Sequence, residues 1–230
     1  MINSAQHDAF RHGSTPHRVL QMINIDALTN AFATFFVTID PPGQIAIFLA
    51  LTAGMTSAER KQVAWRGTLI GTVILLGFMM VGGAVLSTLG ISIGAFRVAG
   101  GALLFYTAFE MVFEKRIERK EGAAERAISK QDIQSIAVFP LAIPLIAGPG
   151  AISASILLAV DFSTPLERAA LIATLLSVCL VLYICLLAAD KLNAYIGDTM
   201  RVVLTRLFGI ILAALSVQFI ADGILDLAGR

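Results

Sequence analysis

Residues 36–52 read FVTIDPPGQIAIFLALT, and residues 139–152 read FPLAIPLIAGPGAI. Both stretches are apolar enough for a membrane interior, and prolines cut through both. Proline has no N–H to give to the carbonyl four residues back. Pro41 and Pro42 therefore cannot serve the carbonyls of Val37 and Thr38, nor can Pro144 and Pro149 serve those of Pro140 and Leu145. Glycines at 43, 148 and 150 bare the backbone beside the same prolines. The sequence thus predicts two membrane helices, each broken near the middle of its span, and everything else is arranged around them. Irregular backbone at that depth is tolerated only where protein or a water-filled cavity surrounds it.

The composition names the solvent. Apolar residues make up 57% of the 230-residue chain and charged ones 14%, with mean hydropathy +0.82, against roughly 25% charged in a soluble protein. No charge interrupts residues 67–96, 136–160 or 169–189, and about 20 apolar residues suffice for a helix to cross the hydrocarbon. Weaker spans cover 27–53, 94–113 and 203–227, which makes six. The alternating polarity of barrel strands is missing, so the spans are helical. The expected fold class is an all-α polytopic membrane protein. A net charge of +1, from 17 Lys plus Arg and 16 Asp plus Glu, excludes a polybasic nucleic-acid binder. Cys179 and Cys185 share one apolar run, which excludes a disulfide scaffold and offers no zinc spacing. His7, His12 and His17 recur every five residues and so share no helix face, reading as a solvated tail and not a metal site. With no phosphate-binding G-x-x-x-x-G-K-[ST] loop, energy would come from an ion gradient or the solute itself. No catalytic residue, metal or cofactor is expected.

A shift of 107 residues lays Ile39, Pro42, Gly43, Ile45 and Leu51 on Ile146, Pro149, Gly150, Ile152 and Leu158. Small insertions carry the match on to Glu59-Arg60 with Glu167-Arg168, and Arg97-x-x-Gly100 with Arg206-x-x-Gly209. An odd number of spans per unit makes the halves inverted copies. The expected organisation is a polar tail (1–24), a first three-helix repeat (25–113), a charged cytoplasmic loop (114–135) and a second repeat (136–230). Loops after the first, third and fifth spans carry eleven Lys and Arg, while the opposite side has only Arg11, Arg18, Arg168 and Arg230. That asymmetry predicts both termini outside the cytoplasm.

In each half a new half-helix would start at the break, its positive end and unbonded amides facing the midplane, where they suit an anion. Carbonyls of the preceding half-helix would suit an ammonium. A small zwitterion satisfies both. The candidate substrate-binding residues are Thr38, Asp40, Pro41, Pro42, Gly43 and Gln44 in the first half, and Gly148, Pro149 and Gly150 in the second. Asp40 is read as the one deep acid, which makes it a proton-coupling candidate. Asp-Pro is also a good helix start, with the carboxylate as N-cap, and the two readings are compatible. Arg97 and Arg206 hold matching places near the starts of third helices and are read as anchors or as gates at two mouths. Gly67 and Gly71 are expected to mark close helix packing.

These strings, with GISIGAFRVAGGALLF at residues 90–105, resemble the MarC-type integral membrane proteins, named for multiple antibiotic resistance. The resemblance covers nearly everything after residue 25, and its most specific part is Pro-Leu-Ala-x-Pro-Leu-x-Ala-Gly-Pro-Gly. It implies six spans in a bacterial inner membrane and kinship with LysE-like amino acid exporters. It also implies transport of small neutral amino acids, as attributed to some relatives; drug efflux does not follow from membership. The family often has Asn-Pro-x-Gly where this chain has Asp40-Pro41-Pro42-Gly43, and Asp titrates where Asn does not. The expected function is therefore a secondary transporter or exporter of a small solute, its partners being the bilayer, the zwitterion and protons. A passive channel is the alternative. A thiol redox relay is a weaker one, since both cysteines lie in the fifth span and neither in a broken helix.

Overall fold

The computed structural model describes residues 25–113 and 136–229. The three histidines, the polar tail and the charged loop lie outside the described residues. Within them, the first broken span consists of α1 (Ile25–Ile39) and α2 (Pro41–Leu51). Next come α3 (Ser57–Thr88) and α4 (Ile93–Val112). The second broken span is α5 (Ala137–Ile146) with α6 (Pro149–Asp161), bent by 57°, and α7 (Pro165–Leu187) and α8 (Ala189–Leu227) complete the order. Five stretches among the described residues, α1 with α2, α3, α4, α7 and Val202–Leu227 of α8, are long and apolar enough to cross a membrane, and there are six if the bent pair counts as one span. The described chain is all helical.

Local chemistry sets the boundaries. Thr56 and Glu59 form a capping box at the start of α3, and Thr164 and Glu167 form another at the start of α7. In each, the threonine oxygen takes the glutamate amide while the carboxylate reaches back to the threonine N–H, at 2.8 and 3.0 Å respectively. Ser92 caps α4 by accepting from the Ala95 N–H at 3.2 Å. In α5 the residues before two prolines, Phe139 (φ −134°, ψ 121°) and Ile143 (φ −129°, ψ 122°), are extended, because the proline ring clashes with an α-conformation in its predecessor. The segment is consequently wound wide, closing with a bond from the Ala147 N–H to the carbonyl five residues back, Ala142, at 2.9 Å. α8 bends at Gly197, whose φ of 63° suits glycine.

Broken helices lie inside and unbroken ones outside. Of the most apolar window of α1 and α2, 72% is buried in the protein, against 28–39% for the windows of α3, α4, α7 and α8. Phe35, Ile39, Phe48, Leu141, Ile146 and Leu157 belong to the core, while Val73, Phe78, Leu103, Leu180 and Ile210 face outward. The interrupted backbone is thereby shielded from lipid, which alone could not satisfy it.

Many helix contacts occur in corresponding pairs, although α1 also packs on α6 and α8. α3 lies on α5 and α6, and α7 on α1 and α2; α4 supports α6, and α8 supports α2; α3 meets α7 and α4 meets α8. Glycines permit the closest of these contacts. Added methyls on Gly67 and Gly71 of α3 would meet Leu141 and Ile146 of α5 at 2.3 and 2.6 Å. Between α4 and α8, one on Gly101 would lie 2.7 Å from Ile220 Cγ1 and 2.9 Å from the Ser216 carbonyl. A carbonyl cannot swing aside as a side-chain tip can. Gly101→Val is therefore expected to destabilise the protein by about 1–3 kcal/mol through overpacking, read as a lower melting temperature in detergent; an unchanged melt would show that α4 and α8 can separate freely.

Candidate functional site

The first break is built by Asp40. Its N–H makes the last bond of α1, to the Phe36 carbonyl at 2.9 Å, and its backbone then turns left-handed (φ 59°, ψ 63°). The buried side chain folds over the start of α2, where Oδ1 accepts the Gly43 N–H at 3.1 Å. Pro41 and Pro42 have no N–H, and the Gln44 amide already bonds the Asp40 carbonyl at 3.1 Å. Every amide in the first turn of α2 is therefore absent or taken. Asp40 is an N-cap, and its carboxyl group occupies the place where an anion would have bound.

Gln44 joins this break to the other. Its side chain is fully buried, and Nε2 donates to the Ile39 carbonyl at 2.7 Å and to the Leu145 carbonyl at 3.3 Å. Both acceptors lost their helical donors at a break: the Gly43 N–H went to Asp40, and Pro149 has none to give Leu145. Because both partners are acceptors, the nitrogen of the carboxamide must be the atom facing them. Gln44 Oε1 is buried and has no partner among the described residues.

The second break has the opposite character. Gly148 leads into α6 without any side-chain cap, and the first backbone bond runs from the Ile152 N–H to the Gly148 carbonyl at 2.9 Å. The amides of Gly150 and Ala151 precede that bond and point out of the helix end. Gly148 is pressed against the Pro144 carbonyl, and a methyl on Gly150 would touch Thr107 Oγ1 of α4 at 3.2 Å. The expectation of an open, anion-ready helix start in each half is thus corrected for the first half, where two consecutive prolines remove two donors and Asp40 uses the third. Thr38 sits in α1 beside the first break with its hydroxyl turned back to the Thr34 carbonyl at 2.7 Å.

The two arginines stand in different helices, Arg97 in α4 and Arg206 in α8. Arg97 holds Asp161, the last residue of α6, and Asp226 near the end of α8, both through side-chain ion pairs. Arg206 has an exposed side chain on α8, twenty residues before Asp226 and so about 30 Å along the helix. Cys179 and Cys185 both stand in α7, outside the broken helices.

The sequence profile described as MarC family integral membrane protein matches residues 25–228. The chain belongs to the MarC family. It is 36% identical over 199 residues to a UPF0056 membrane protein of Archaeoglobus fulgidus, an overlap of 85% of this chain and 91% of that one. Identity to the UPF0056 membrane protein YvbG of Bacillus subtilis is 31% over 197 residues, covering 86% and 93%. For YhcE of Escherichia coli it is 32% over 193 residues, covering 84% and 89%. No solved structure matches the chain.

Several polar residues of this MarC-family protein escaped the sequence reading. Glu110 of α4, at 3% exposure, is a second buried acid, one turn along from Thr107 and on nearly the same face. The three-residue spacing from Thr107 was the available signal. Ser153 and Ser155 of α6 are also buried. The pairing of Asp161 with Arg97, 64 residues away, has no local signature.

Proposed function

We propose that this multi-pass MarC-family protein is a secondary transporter or exporter of a small neutral amino acid in the bacterial inner membrane, with both termini periplasmic and Asp40 carrying a coupling proton. The observation that supports this best is the Gln44 side chain bonded to carbonyls of both breaks. It draws together two ends of complementary polarity: a buried carboxyl group beside helix carbonyls that the prolines cannot serve on one side, and uncapped amides on the other. An ammonium suits the first and a carboxylate the second, as at the broken helices of other carriers. Gly43, Gly148 and Gly150 keep side chains off the backbone between them, which favours a solute whose own side chain is small. Matching capping boxes on α3 and α7 and the paired helix contacts support the inverted repeat, so that one half can rock against the other and expose the centre to each side in turn.

Purified protein in vesicles tests the proposal. Saturable flux of small neutral amino acids that accelerates with an imposed proton gradient is the expected result. Flux that never saturates, with no accompanying proton movement, would assign a passive channel instead. Asp40→Asn separates the two roles of the residue: asparagine tolerates the left-handed backbone and can still accept the Gly43 N–H, so the protein should fold. Its transport should lose its dependence on pH, and a variant with the wild-type pH profile would remove Asp40 as proton carrier.

A further inference from the structure

Arg97 connects three helices at the end of the bundle that carries the α3–α4 turn, but only one of its ion pairs joins parts able to move separately. α4 and α8 are locked together by glycine contacts: methyls on Gly94, Gly101 and Gly223 would all come within about 3 Å of the facing helix, with backbone carbonyls among the atoms they meet. The pair to Asp226 lies within that unit. Asp161 belongs to α6, a thirteen-residue helix whose first turn carries the uncapped amides of Gly150 and Ala151. One short rod, about 20 Å long, therefore runs from the central site to this mouth.

Beside the Arg97 cluster is a cavity of about 410 Å³, lined by Ala159 and Val160 of α6, Met79 and Gly83 of α3, and Leu171 and Arg168 of α7. The outer end of α6 thus has room next to it, toward α3 and α7, with Ile93 at the start of α4 forming part of the rim. The opposite end of the bundle has its own ion pair, Arg60 to Asp190 at 2.8 and 3.0 Å, next to a cavity of about 190 Å³ that Phe48 and Leu49 of α2 help to line. Each second half-helix leads from the central break toward a mouth with an ion pair, and α8 supplies a carboxylate at both.

We propose that Arg97 and Asp161 latch the first mouth, and that Asp161 is a positioning residue through which α6 ties the opening of that mouth to occupancy of its amide end. The inference rests on the transporter reading. With the latch closed, α6 is held against α4. Release lets its outer end swing into the cavity and exposes the face that carries Ser153, now 4% exposed and packed beside Gly100.

The test places one cysteine by Ser153→Cys in a chain with Cys179→Ser and Cys185→Ser, then measures its labelling by a membrane-impermeant thiol reagent added to each side of oriented vesicles. Labelling should be slow with the latch intact, and Asp161→Asn should raise its rate severalfold from the Arg97 side alone. Asp161→Glu should restore slow labelling. This rescue would not be expected if Asp161 merely stabilised the fold. Equal rates with and without Asp161→Asn, or faster labelling from both sides, would overturn the latch. Amino acid flux is measured on the same vesicles. Charge-dependent labelling without any saturable flux would leave the latch standing and remove the transporter reading; flux with labelling indifferent to Asp161 would remove the latch alone.

Discussion

Gly43→Ala is expected to reduce transport at least tenfold while the protein still inserts and folds. In the interior of an exposed helix the same change stabilises by about 0.5–1 kcal/mol. Here the added methyl would lie 2.1 Å from Asp40 Oδ2, 2.6 Å from Cγ and 2.8 Å from Oδ1. The carboxylate must leave the start of α2, and the cap it provides is worth about 0.5–2 kcal/mol. The left-handed backbone at Asp40 costs of the order of 1–3 kcal/mol and would lose the interaction that compensates it. Loss of a typical cap, about 1 kcal/mol, offsets or exceeds the conformational gain from alanine. Because the carboxylate is also the proposed ammonium partner, displacing it should harm flux more than stability. The check is saturable flux per folded protein together with the melting temperature; an alanine variant that transports at the wild-type rate would show that Asp40 can sit elsewhere.

Charge spacing located the slab of hydrocarbon better than it located helices. α3 begins at Ser57, ten residues before the charge-free run at 67, because its capping box and first turns hold Glu59, Arg60, Lys61 and Arg66. The same run continues to residue 96 across the turn at Gly90, whose residues are uncharged and so leave no mark on a charge count. Both breaks were legible, since proline acts on its own backbone wherever it lies. So was the loss of donors in α2: two prolines and an N-cap aspartate leave nothing in the first turn. Expecting an open helix end there came from carrying the symmetry of the repeat further than the residues allow, because Ala147 stands where the first half has Asp40. Contacts such as Gln44 with Leu145, 101 residues apart, could not be read. They depend on how helices meet, and no local pattern encodes that.

Gln44→Leu should lower both stability and substrate affinity, through different atoms of the same side chain. Losing Nε2 leaves the Ile39 and Leu145 carbonyls without their donor at the centre of the bundle. Each stranded carbonyl costs about 1–3 kcal/mol, and burial of the leucine side chain returns about 1.5–3 kcal/mol. The balance is a net loss of up to a few kcal/mol, visible as an earlier thermal transition in detergent. Losing Oε1 takes away a buried acceptor that no described residue uses, and an ammonium donor on the solute is the natural partner for it in the proposed site. Apparent KM should therefore rise several-fold even at temperatures where the variant is fully folded. Stability and affinity part company if only one function is real. An early melt with wild-type KM would confine Gln44 to holding the breaks together, whereas an unchanged melt with raised KM would mean that water or a neighbouring group satisfies the two carbonyls once the amide is gone.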